Sequence, residues 1–128
     1  MSAPIYLEPS KRVVFDRTVT IANGQTTSGL IALRGYALRG LIVPSGLVGT
    51  AISFLADTQE RGGSASSALP VFDDAGAQVS VTVASGRYIV FGQAVAEKLN
   101  ACEFIALVVG GVQNAARVIQ LIGVASTK

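Results

Sequence analysis

A chain of 128 residues, half of them apolar and 14% charged, with a net charge of +2, has the length of one ordinary domain and enough apolar surface to fold. That excludes a disordered chain and a second independent core. The charge is too small and too dispersed for an electrostatic nucleic-acid binder, which gathers Lys and Arg on one face. No apolar run approaches the roughly 20 residues of a membrane-spanning helix. The opening MSAPIYLEPSKR lacks the apolar segment of a secretory signal, so synthesis in the cytoplasm and no membrane partner are expected.

Residues 1–10 hold Pro4 and Pro9 with little apolar periodicity, the pattern of an extended N-terminal arm rather than a strand. Residues 11–128 are expected to form a single β domain. From Val13 to Ile21, VVFDRTVTI mixes β-branched and aromatic residues with polar ones, as a half-buried strand does. Asn23-Gly24 supplies two residues that tolerate positive φ, hence a turn, and Gln25 to Ser28 continue the connection. GLIAL (29–33) and RGLIVP (39–44) read as two paired strands, and a turn through Pro44, Ser45, Gly46 and Gly49 leads into TAISFLAD, a strand apolar enough to be buried on both faces.

Thr58 to Ala68, TQERGGSASSA, is small and polar and predicts a long exposed loop. LPVFDDAGAQVSVTVASGRYIVF then predicts a β-meander: a strand, a turn at Asp73 to Gly76, a strand from Gln78 to Ala84, a turn at Ser85-Gly86 and a strand from Arg87 to Phe91. Val79, Val81 and Val83 share one face and Ser80 and Thr82 the other, the strongest period-two signal in the chain. Tyr88 is expected to pack inside. QAVAEKLNA (93–101) is the one helical segment, with Val95 and Leu99 four apart. EFIALVV and RVIQLIGV close the chain as central strands of two sheets. About nine strands without long helices between them predict an antiparallel β-sandwich of jelly-roll type rather than a parallel sheet.

The chemistry on offer is sparse. The chain has no histidine and a single cysteine, Cys102, in an apolar stretch, so the usual base for a Ser or Cys nucleophile is missing, and Cys102 reads as a structural thiol. Asp57, Asp73 and Asp74 are the acids that could gather as oxygen ligands, but DDAG lacks the alternating ligands of a calcium loop and reads as turn chemistry. No spacing singles out a carboxylate pair for glycoside hydrolysis. Neither a catalytic residue, a cofactor nor a metal is expected, and the protein is read as non-enzymatic. A sugar platform would rest on Tyr6 and Tyr36, since the chain has no Trp. The basic bias falls in residues 1–40, with Lys11, Arg12, Arg17, Arg34 and Arg39 against Glu8 and Asp16; the remainder has five basic and six acidic residues.

The stretches VTIANGQTTSGLIALRGYALRGLIVPSGLVGTAISF, VFDDAGAQVSVTVASGRYIVF, EFIALVVGG and ARVIQLI occur in an order that resembles small proteins encoded among the virion genes of tailed phages and prophages. Together they cover most of residues 19 to 122. The resemblance implies a β-sandwich on the phage particle surface, made in the host cytoplasm: a capsid decoration or cement protein with the major capsid protein as partner. Tail or fibre attachment to a host glycan is the competing role. The chain departs from the pattern at LADTQERGGSASSAL, where related chains have a short S-x-D-G turn. A repeated lattice multiplies a modest contact by avidity, so a homo-oligomer, a trimer for sites between capsid hexamers, is expected. The capsid-contact residues are then expected in the arm and the basic third: Tyr6, Lys11, Arg12, Arg17, Arg34 and Arg39.

Overall fold

Strands form where the sequence alternates or turns apolar and end at its Gly, Pro and Asn punctuation. The computed structural model describes residues 14–125, so the arm expected at residues 1–10 lies outside the described residues. The elements are β1 (Val14–Ile21), β2 (Ile31–Ala32), β3 (Tyr36–Ile42), β4 (Ala51–Asp57), β5 (Leu69–Pro70), β6 (Ser80–Thr82), β7 (Tyr88–Val90), α1 (Gln93–Leu99), β8 (Phe104–Val109) and β9 (Arg117–Ala125).

One sheet runs β1-β9-β3-β7; the other runs β2-β8-β4-β5, with β6 also paired to β4. Every pairing is antiparallel. From β1 to β4 the chain changes sheet at each step, so sequence neighbours face one another across the core instead of pairing side by side. This is the connectivity of a jelly roll. The expected all-β sandwich is the fold observed, the helix falls within 93–101, and the two closing strands are central, one in each sheet.

The core lies between the sheets. Ile21, Leu38, Leu41, Ile119 and Leu121 from one sheet meet Ile52, Phe54, Ile105, Leu107 and Val109 from the other, all buried. Burying each such side chain stabilises the fold by about 1.5–3 kcal/mol. Phe54 and Phe91 make an edge-to-face contact, with ring centroids 6.1 Å apart and planes at 78°. Ala96 and Leu99 of α1 join the same cluster. Val79 and Val83 are buried while Ser80 and Thr82 are exposed, the facing that their alternation predicts.

Two expectations need correction. GLIAL and RGLIVP do not pair: β2 bonds to β8 and β3 bonds to β9 and β7, because the turn between them carries the chain from one sheet to the other. The meander holds only at its first turn, where Phe72 bridges Gln78 and the Val79 N–H donates to the Val71 carbonyl at 2.9 Å. β5 and β6 both pair with β4, and β7 crosses to the far sheet beside β3. Both errors have one cause, since local pattern reports a strand and its turns but not which distant strand completes its ladder.

Candidate functional site

The β2–β3 corner is a two-residue turn in which Arg34 has φ 52° and Gly35 φ 81°, closed by the Tyr36 N–H donating to the Leu33 carbonyl at 3.0 Å. Positive φ at both central residues suits glycine or asparagine; an arginine there costs about 1 kcal/mol or more. Five residues later the β3–β9 register shifts between Leu38 and Gly40. The extra residue of this bulge is Arg39, so Leu38 and Leu41 both turn inward while Arg39 stays exposed. Gly40 is obligatory: a Cβ there would lie 2.5 Å from the Ile89 carbonyl oxygen.

The turn and the bulge deliver Arg34, Tyr36 and Arg39 to one groove of about 670 Å3, whose opposite wall is formed by residues 100–104 ahead of and at the start of β8. Among the described residues neither arginine has an ion-pair partner; the ion pairs there are Arg61–Asp57 at 3.1 Å and Lys98–Asp73 at 3.2 Å. Glu103, also on the groove, accepts the Gln59 N–H at 2.9 Å. Cys102 lines the groove half-buried, and desolvation pushes its thiol above the ordinary value, so it stays protonated at neutral pH. The groove therefore presents two hydrogen-bonding cations and an aromatic ring, a setting for carboxylate or another planar anion.

Beside the groove lies the outer face of the β1-β9-β3-β7 sheet. Gln120, Ile42 and Tyr88 form one cross-strand row, and Ile122, Gly40 and Val90 the next. Tyr88 is 60% exposed, Val90 75% and Val118 52%. The expectation that Tyr88 packs inside is thus overturned: in Tyr88-Ile89-Val90-Phe91 it is Phe91 that is buried, with Ile89 partly so. The other sheet differs, because the loop after β4 folds back over it. Asp57, with its side chain wholly buried, receives hydrogen bonds from the Ser67 hydroxyl, the Ser64 N–H at 3.3 Å and the Arg61 guanidinium at 3.1 Å. The Ser67 bond holds its carboxyl below the ordinary aspartate value, with the Thr58 and Ser64 N–H groups and Arg61 adding to it and desolvation opposing them.

Of the expected contact residues, the structure brings Arg34 and Arg39 together. Arg17 sits on edge strand β1 opposite Leu121 and does not line the groove. Tyr6, Lys11 and Arg12 lie outside the described residues. Of the acids weighed as metal ligands, Asp73 and Asp74 share the turn after β5, whereas Asp57 ends β4 and is bonded to the loop that follows it. Asp73 accepts the Ala75 and Ala77 N–H groups at 2.9 Å each and faces Lys98, and these bonds, Ala77 foremost, hold its carboxyl low. Among the described residues no group of three or more His, Cys, Asp or Glu is placed to hold a metal ion.

Two buried polar residues escaped the sequence reading. The Gln113 amide accepts the Val48 N–H at 3.0 Å and donates to the Val48 and Gly111 carbonyls at 2.7 and 2.8 Å. Ser28 Oγ accepts the Leu107 N–H at 2.9 Å. Gln113 serves loop backbone and Ser28 serves a β8 N–H beyond the two residues that β2 pairs, so both satisfy groups that the ladders leave unpaired, and no sequence motif marks them. Comparison with known proteins returns no match: no family model, no curated protein and no solved structure is significantly similar to the chain.

Proposed function

We propose that the protein is a virion structural protein that binds the surface of a tailed-phage capsid, decorating and stabilising it through contacts repeated over the lattice. The observation that carries this reading is the convergence of Arg34 and Arg39, without ion-pair partners among the described residues, on a groove at one end of a jelly roll. Cations in that state gain most from a carboxylate-bearing protein surface, which completes their hydrogen bonds as it excludes water. The strain accepted at Arg34 fits a residue kept for contact rather than for folding. Avidity over many lattice sites turns a weak single contact into full occupancy. The major capsid protein is the partner in this reading, and neither nucleic acid nor membrane is part of it.

The test is occupancy on purified capsids of the encoding phage stripped of this protein. The wild-type chain is expected to rebind and to raise capsid resistance to heat. The Arg34→Glu/Arg39→Glu double variant, folded by circular dichroism, should leave the capsids bare; undiminished occupancy would reject the groove.

One observation favours a tail-borne, glycan-binding alternative: Tyr88 is outward and flanked by Val90, an exposed ring of the kind that stacks on sugars. Selective retention on a glycan array, lost in Tyr88→Ala, together with no capsid binding, would transfer the assignment to the tail.

A further inference from the structure

We propose that the outer face of the β1-β9-β3-β7 sheet binds a second copy of this chain through a twofold, face-to-face contact centred on Gly40.

The first support is shape. Around Gly40 the sheet surface has a recess of about 450 Å3 walled by Tyr88, Val90, Ile122 and Val124, and it exists because the close approach of the Ile89 carbonyl forbids any side chain at that position. Directly across the ladder from Gly40 stands Val90, the most exposed large apolar side chain among the described residues. A knob beside a hole is complementary to itself after a twofold rotation: Val90 of each copy enters the recess of the other, an isologous contact.

The second support is area. Strands of 8, 9, 7 and 3 residues, rising about 3.4 Å per residue and spaced about 4.8 Å apart, make a face of roughly 440 Å2. Two such faces together cover roughly 900 Å2, the range of a weak, reversible association. The third is charge. Charge is confined to the margins: Arg39 lies at the edge of the recess and Asp16 stands on edge strand β1 opposite Ile122, while the positions between are Val118, Ile42, Ile122 and their neutral neighbours. A strongly charged partner gains little at the centre of such a surface, whereas an equally apolar sheet matches it. The twofold arrangement calls for two copies rather than the three that a capsid site suggests, and it does not depend on the capsid reading.

Sedimentation velocity of the full chain across a range of concentrations tests this. The expected result is a reversible monomer–dimer equilibrium, with Val90→Asp weakening the dimer by about tenfold or more and Val118→Asp acting in the same direction, both variants retaining the wild-type circular dichroism spectrum. A monomer at every concentration, a trimer, or a dimer indifferent to Val90→Asp would overturn the proposal. A chain lacking residues 1–12 should dimerise as the whole chain does; a dimer seen only after that truncation would mean that the chain's own N-terminal residues occupy the face, which also overturns it. Retained dimerisation in an Arg34→Glu/Arg39→Glu chain that no longer binds capsids would separate this contact from the groove.

Discussion

Arg34 holds a backbone conformation that glycine adopts freely, in a turn whose closing hydrogen bond needs only the main chain. Arg34→Gly should therefore leave the fold intact and raise its stability by up to about 1 kcal/mol, readable as a shift in a urea denaturation midpoint, while reducing capsid occupancy. A variant that lost stability would show that the guanidinium supports the fold. Asp57 works in the opposite sense. Its carboxyl, like that of Asp73, binds a proton less readily in the folded chain than in the unfolded one. The stability these carboxylates contribute is complete above the ordinary aspartate value of 3.8 and is lost as pH falls through their lower folded values. Calorimetric melting temperatures should decline on acidification below about pH 4. Asp57→Asn should lower the neutral-pH melting temperature and flatten that decline; an unchanged acid limb would mean that the Ser67 and Ser64 bonds do not favour the charged form.

Among the elements, those whose alternation places a clear polar face opposite an apolar one were legible in the sequence: Val79 and Val83 inward, Ser80 and Thr82 outward. Where the run is apolar throughout, as in Tyr88 to Phe91, composition marks the strand but not its phase, and the outward turn of Tyr88 and Val90 was hidden. The bulge at Arg39 was hidden too, because one extra residue changes facing without changing composition. Turns were legible as turns, but not as corners between sheets. The groove was half legible: Arg34 and Arg39 could be singled out by charge, yet their meeting depends on a turn type and a bulge that only strand pairing reveals. Gln113 illustrates what lies beyond pattern altogether, since it joins the loop before β4 to the β8–β9 connection through two side-chain hydrogen bonds to Val48 and adds a third within the connection, to the Gly111 carbonyl. Gln113→Leu keeps the volume but strands the Val48 N–H and two carbonyls, and should destabilise the protein by roughly 3 kcal/mol in urea denaturation. A change below about 1 kcal/mol would mean that water replaces the amide.

At the scale of the whole molecule, the jelly roll has two unlike outer surfaces. One sheet is roofed in part by the loop that Asp57 anchors. The other leaves Tyr88, Val90 and Val118 open to solvent beside a groove lined by Arg34 and Arg39. Leu69, Phe72 and Val112 are also exposed, but on this face Tyr88, Val90 and Val118 share one sheet around a recess, and a contiguous apolar patch of that kind suits contact. Hydrogen–deuterium exchange of the free and the capsid-bound protein compares the two surfaces directly. The account predicts slowed exchange on binding in the Arg34–Arg39 segment and at residues 100–104, with the Thr58–Ala68 loop unchanged. Protection confined to that loop and the β4–β8 sheet, with the arginine groove exchanging as in the free protein, would contradict it.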